Sequence, residues 1–280
     1  MIYRSEAGAA EVEKRYRELL SGWPVPNERL TLSTCEGETF VVVSGPPDAP
    51  PVVALQGFGA NAAMWLHQIE RLAESLRVYA VDVIGEPGLS AQTRPSLATD
   101  AYTRWLDDVL DGLGLDETAM LAVSLGAWMA LDYALRHPER VTRLALLTPS
   151  GIGPRKLSML RALFRLRPFG DKGLRQTVRY ALGPGAQDIA EDKVGSFALL
   201  IAKHFRPRTE RVPTFSDDSL RKIDIPVLAM VGGKDALLDS YEIQRRLNKV
   251  MPHATVHMLP TSGHLLPDPT QTLLPFLRAS

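Results

Sequence analysis

Leu121-Ala122-Val123-Ser124-Leu125-Gly126 places a serine between an apolar, strand-like run and a helical one. A serine hydroxyl is a poor nucleophile until a neighbouring base takes its proton. A serine on a tight strand-to-helix turn, followed far downstream by an Asp and then a His, therefore points to covalent catalysis and acyl transfer. Ala122 stands where the usual G-x-S-x-G has its first glycine, so the pattern around the turn has to carry the reading.

Outward from this turn, short apolar runs alternate with helical patterns. Residues 78–83, 120–123, 144–147, 227–231 and 256–259 read as strands, with helices between them. Strands buried on both faces are continuous apolar runs, so the alternation predicts a mainly parallel sheet covered by helices on both sides. Upstream, segments at 30–32 and 40–43 alternate and predict an antiparallel opening, after which Gly45-Pro46-Pro47-Asp48 turns the chain into 52–55. Residues 9–20 carry Val12, Tyr16, Leu19 and Leu20 on one face, an added N-terminal helix that Trp23-Pro24-Val25-Pro26 stops. Residues 151–222 hold helical patterns and no convincing buried strand. They read as a helical lid inserted between two core parts, 1–150 and 223–280, of one domain.

With 32 basic and 32 acidic side chains, the overall charge gives no reason to expect nucleic acid or an anionic membrane as the main partner. The expected partner is a small molecule. The balance conceals an asymmetry, since the lid segment has fifteen Lys or Arg against seven Asp or Glu. Arg161, Arg165 and Arg167 also fit a membrane-surface helix or a site attracting an anionic substrate, but read as the wet face of a helix whose other face covers the pocket. Cys35, the only cysteine, has no internal partner and reads as an inert strand residue, which fits a reducing compartment. The first twenty residues carry charges every few positions and no uninterrupted apolar stretch. Neither a signal peptide nor a membrane span is expected there, and the expected location is cytoplasmic.

Six landmarks in order then resemble an α/β-hydrolase-fold enzyme of the carboxylesterase-like branch, whose members carry a helix before the first strand. They are Gln56-Gly57-Phe58-Gly59, Asp82 with Gly85 and Ser90, the Ser124 turn, His137-Pro138-Glu139-Arg140-Val141, Gly232-Gly233-Lys234-Asp235, and Ser262-Gly263-His264. The resemblance runs from about residue 30 to the end and implies a mostly parallel sheet of about eight strands with a helical lid. It also implies roles. His264 accepts the Ser124 proton during attack and returns it to the leaving group, and Asp235 fixes the tautomer of that imidazole. The Phe58 and Leu125 N–H groups form the oxyanion hole, Leu125 at the positive end of a helix dipole.

Each role has a competitor. Ser124 also fits a helix N-cap, and Asp235 competes with Asp239, which also fits a cap on the helix starting near Ser240. His264 also fits a capping or surface histidine. Gln56 replaces the histidine that usually precedes the oxyanion glycine, generally a loop-organising residue. Ala122 adds a methyl group at the elbow, a modest steric change that a small neighbour can absorb. The loop after Asp82 is one residue longer than usual because Glu86-Pro87 separates Gly85 from Gly88, which would reshape one rim of the pocket; Glu86 reads as a solvated turn carboxylate, with contact to substrate as the alternative. Phe58, Met64, Trp65, Leu125, Trp128 and Leu265, with Leu160 and Phe164 of the lid, are candidates for the substrate pocket.

The expected activity is cofactor-independent hydrolysis of a small or medium carboxylic ester through an acyl-enzyme on Ser124. Thioesterases, lactonases, amidases and carbon–carbon-bond hydrolases use the same machinery, and a ligand-binding or signalling protein with little turnover shares the fold. No metal is expected, because Cys-His clusters are missing from the sequence and six scattered histidines are unremarkable in a chain of this length. Nor is a dinucleotide, since Gly57-Phe58-Gly59 continues as Ala60-Asn61-Ala62 without the third glycine.

Overall fold

The computed structural model describes residues 2–156, 166, 169–186 and 191–279. Eight strands form one sheet: β1 (Asn27–Thr34), β2 (Gly37–Ser44), β3 (Pro51–Leu55), β4 (Arg77–Val81), β5 (Thr118–Val123), β6 (Val141–Leu147), β7 (Val227–Gly232) and β8 (Thr255–Leu259). Their order is β1-β2-β4-β3-β5-β6-β7-β8. β1 pairs antiparallel with β2, and β2 antiparallel with β4, while β3 to β8 run parallel. The expected antiparallel opening and parallel body are both present. The Gly45 turn, however, does not join sheet neighbours: β4 lies between β2 and β3, because β3 pairs in parallel with both β4 and β5.

The strands form because their valines and leucines suit a pleated surface buried on both sides. Alternation divides them between two cores. Val41, Val43, Val53 and Leu55 face one side with Trp105, Leu106 and Trp128. Val42, Val52 and Ala54 face the other with Val12, Tyr16 and Leu273. The first core is covered by α3 (Ala101–Gly112), α4 (Leu125–Arg136) and α8 (Ser240–Val250), and the second by α1 (Glu6–Ser21), α2 (Ile69–Leu72) and α9 (Thr270–Arg278).

Within 151–222 the described helices are α5 (Gly170–Leu182), α6 (Lys193–His204) and α7 (Asp217–Leu220), and no strand of the sheet occurs there among the described residues. Leu160, Phe164, Arg161, Arg165 and Arg167 lie outside the described residues. Helix α6 rests on α1. Phe197 stacks on Tyr16 with ring centroids 5.9 Å apart, and a β-carbon at Gly8 would sit 2.4 Å from His204 Nδ1, so only glycine admits this approach. Tyr3 extends the contact by bridging to Phe205.

Cys35 departs from expectation. It occupies the exposed turn between β1 and β2 rather than a strand, because Gly37, at φ +109°, lets the hairpin reverse there. Its thiol is pushed up to about 11 by desolvation and by Asp108, which keeps it protonated and unreactive at neutral pH. No helix among the described residues is long and apolar enough to cross a membrane.

Candidate active site

The C-terminal ends of β5, β7 and β8 carry the three principal candidates. Ser124 connects β5 to α4 at φ 51° and ψ −105°, one of two non-glycine residues with positive φ among those described. Such a conformation costs of order 1–3 kcal/mol and persists where surrounding structure enforces it. Here the Ser124 N–H donates to Leu147 O at 2.9 Å, and Ser124 O accepts from Ser150 N–H at 3.1 Å. The tightness of the turn falls on Gly126, not on position 122: a β-carbon at Gly126 would lie 2.6 Å from the carbonyl oxygens of Leu55 and Gln56. Ala122 is fully buried in the core, its methyl group absorbed there. The Ser124 side chain makes no capping hydrogen bond, whereas Asp239 accepts from Glu242 N–H at 3.2 Å and caps α8.

Asp235, 2 % exposed, follows β7, and His264 follows β8. His264 Nδ1 and Asp235 Oδ2 are 2.7 Å apart, while Asp235 Oδ1 accepts the Leu237 and Leu238 N–H groups at 2.7 and 3.0 Å. An ionised carboxylate can only accept, so Nδ1 carries the proton and Nε2 is left free as a base. The Ser124 hydroxyl lies 3.4 Å from the Ser150 hydroxyl, and that is its hydrogen bond in this structure. The serine and histidine loops meet through Thr148, whose N–H donates to Met230 O and whose hydroxyl reaches His264 O at 3.4 Å. Serine–histidine hydrogen bonds at sites of this kind often form or tighten only with substrate bound.

The loop after β3 lies against the serine: a β-carbon on Gly57 would be 3.4 Å from Ser124 Cβ. Among the described residues neither the Phe58 nor the Leu125 N–H donates to any acceptor. For Leu125 this follows from its place as first residue of α4, whose opening amides have no intrahelical partner. Gln56 is buried, and with its amide oriented as its neighbours require, its oxygen accepts from Val83 N–H at 2.6 Å and its nitrogen donates to Val81 O. It ties this loop to β4, a loop-organising part.

Two buried acids hold the same loop from the far side. Asp82 Oδ1 accepts the Tyr16 hydroxyl at 2.9 Å and the Ala62 N–H at 2.8 Å, and Oδ2 accepts Leu89 N–H at 2.8 Å. Burial raises Asp82 to about 6, with the Leu89, Ala62 and Tyr16 hydrogen bonds pulling the other way. Glu86 corrects the solvated reading: it is 2 % exposed, and its Oε2 accepts Gly59 N–H at 2.7 Å. Burial raises it to about 7, against the Gly59 hydrogen bond and the charges of Arg94 and Arg208.

Phe58 and Leu265 are large apolar side chains left exposed, at 45 % and 41 %, one on each side of the candidate site. Leu265 N–H also donates to Leu182 O at the end of α5, and Gly183 and Gly263 approach so closely that a β-carbon on either would lie 2.6 Å from the other's Cα. Trp65 and Trp128 are buried, and Trp128 stacks on Phe215. Ser150 and Lys156, which donates to Asp235 O at 2.8 Å, are neighbours that sequence reasoning did not place here, while Glu86, expected on the pocket rim, instead holds the Gly59 N–H. No group of three or more His, Cys, Asp or Glu able to hold a metal occurs among the described residues.

A family model described as alpha/beta hydrolase fold matches residues 50–196. The chain is 29% identical over 272 residues to an uncharacterized carboxylesterase, nap, of Bacillus subtilis, covering 90% of this chain and 85% of that protein. Among solved structures, naproxen esterase (carboxylesterase NP) from Bacillus subtilis superposes with a TM-score of 0.84 at 26% identity, covering 97% of this chain and 96% of that one. Carboxylesterase CesB (YbfK) from Bacillus subtilis gives the same TM-score, 0.84, at 25% identity, covering 97% and 98%.

Proposed function

Because the chain belongs to the α/β-hydrolase family, we propose that it is a serine hydrolase cleaving carboxylic esters through an acyl-enzyme on Ser124. The observation that carries this reading is the Asp235–His264 hydrogen bond at 2.7 Å beside a serine held at positive φ, with two undonated amides next to it. The carboxylesterases among its relatives favour an ester over a thioester, lactone or carbon–carbon bond.

In the proposed reaction, neutral His264 Nε2 takes the Ser124 proton as Oγ attacks the ester carbonyl. Asp235 stabilises the resulting imidazolium. The carbonyl oxygen becomes an anion between the Phe58 and Leu125 N–H groups, each worth roughly 3 kcal/mol of barrier. His264 then gives its proton to the departing alcohol. Water, activated by the same imidazole, releases the acid and restores Ser124. Exposure favours Phe58 and Leu265 as contacts to an apolar acyl or alcohol portion, with Trp65 and Trp128 as packing behind them. Residues 151–222 act as the lid over this cleft, with core parts 1–150 and 223–280 supplying the reacting groups. The partner is a small ester, and the single Cys35 fits a cytoplasmic location.

The test is turnover of p-nitrophenyl esters from acetate to octanoate. Many turnovers per molecule are expected, with kcat lowered about 10⁴-fold or more in Ser124→Ala. Absence of turnover on every chain length, or retention of activity in the variant, contradicts the reading.

A further inference from the structure

The tip of the loop after β3 has little to hold it by packing. Phe58 is 45 % exposed, and Gly59, at φ +69°, has no heavy atom within 4 Å of where a β-carbon would stand. Hydrogen bonds from the loop after β4 hold it instead. Gly59 N–H donates to Glu86 Oε2 at 2.7 Å, Asn61 Nδ2 to Pro87 O at 2.6 Å, and Ala62 N–H to Asp82 Oδ1 at 2.8 Å. Two of these three acceptors, Glu86 and Pro87, lie between Gly85 and Gly88.

Glu86 is costly where it stands. It is 98 % buried by its 2 % exposure, and its second oxygen, Oε1, has no hydrogen-bond partner among the described residues. A buried carboxylate with a vacant oxygen destabilises a fold, and a residue serving packing alone would do so better without the charge. What the charge adds is a shorter and stronger bond to Gly59 N–H. We propose that Glu86 is a positioning residue of the oxyanion hole: its carboxylate fixes the Gly59 amide and thereby the orientation of the adjoining Phe58 N–H. This rests on the serine-hydrolase reading of the site.

A lone carboxylate beside this loop would repel the oxyanion. Arg94 and Arg208 face it and balance it, and Tyr3, Tyr102 and Asp82 are the other ionisable groups whose fields it shares. Arg94 Nε is itself fixed, donating to Gly85 O at 2.8 Å, while its guanidinium stands 4.8 Å over the Phe205 ring that packs on Phe58. The carboxyl titrates near neutrality, at about 7, so its grip on Gly59 varies across the working range of an esterase.

The experiment compares wild type with Glu86→Gln, an uncharged isostere of the protonated acid, across pH. Above pH about 8 the variant's kcat is expected to be about tenfold lower with KM unchanged. The ratio should shrink toward one as Glu86 itself protonates, with its midpoint near 7. Ionisations common to both proteins cancel in the ratio. A ratio that is constant with pH, or a change in KM alone, overturns the proposal. As a readout independent of turnover and of how the variant folds, the Gly59 amide proton of the wild type is followed by NMR. It should move downfield as pH rises through about 7, and an unmoved resonance also overturns the proposal. A protein that turns over no ester yet shows this titration would defeat the hydrolase reading while leaving the Glu86–Gly59 link standing.

Discussion

The two sides of the candidate site are held in place by different means. On the nucleophile side, Ser124 is set by backbone: a positive φ, hydrogen bonds to Leu147 O and from Ser150 N–H, and a glycine at 126 that has no room for a side chain. On the oxyanion side, the loop bearing Phe58 is set by side chains reaching from elsewhere, chiefly Asp82 and Glu86, with Tyr16 of the N-terminal helix behind Asp82. Backbone constraints of the first kind do not titrate. The second kind does, so pH and distant substitutions should act on the oxyanion side while the serine turn stays as it is.

That contrast can be pressed at four points. The largest effect belongs to the nucleophile side, where Asp235→Asn should lower kcat by about 10³- to 10⁴-fold, by presenting the wrong imidazole tautomer, with no loss of fold. Steady-state kinetics alongside a thermal melt checks both halves. On the oxyanion side, Asp82→Ala leaves the Tyr16 hydroxyl and two amides without their acceptor and should destabilise the protein by about 3 kcal/mol, read by urea unfolding.

Glu86→Gln should do the reverse to stability. The folded state holds the Glu86 proton up to about 7 against an ordinary value of 4.5, so the folded state binds more protons than the unfolded one between these values. Stability from this group is therefore full below the lower value and is lost as pH rises through the upper one. At pH 8 the variant should melt higher than wild type, by an amount on the order of 1–3 kcal/mol, and the gap should close by pH 5. A variant both steadier and slower at pH 8 is the signature of a residue kept for function. The smallest effect is expected at Ala122→Gly, which removes a methyl group from the core and adds chain entropy, costing about 1 kcal/mol by thermal melt with turnover unchanged.

The same contrast explains what the sequence disclosed. Ser124, Asp235 and His264 stand beside glycines at strand ends, a local signature, and the strands themselves are apolar runs too long to be loops. The eight-strand, mostly parallel sheet was legible for that reason. Asp235 reads ahead of Asp239 because it follows the strand directly; in the structure Asp235 bonds His264 and Asp239 caps α8. Glu86 was misread because an acid between Gly85 and Pro87 has every local mark of a wet turn. The groups it meets, Gly59, Arg94 and Arg208, come from elsewhere in the chain, the last more than a hundred residues away. The Ala122 methyl reads as a modest change that a neighbour absorbs, and it is buried in the core, whereas the close approach of Leu55 and Gln56 to Gly126 comes from the tertiary fold and has no local mark.

Covalent chemistry at Ser124 is the claim on which the rest depends, and a fluorophosphonate probe read by intact mass and peptide mapping tests it most directly. One adduct is expected on the peptide containing Ser124, and none on Ser124→Ala. Equal labelling of the two proteins, or an adduct on any other residue, would contradict it.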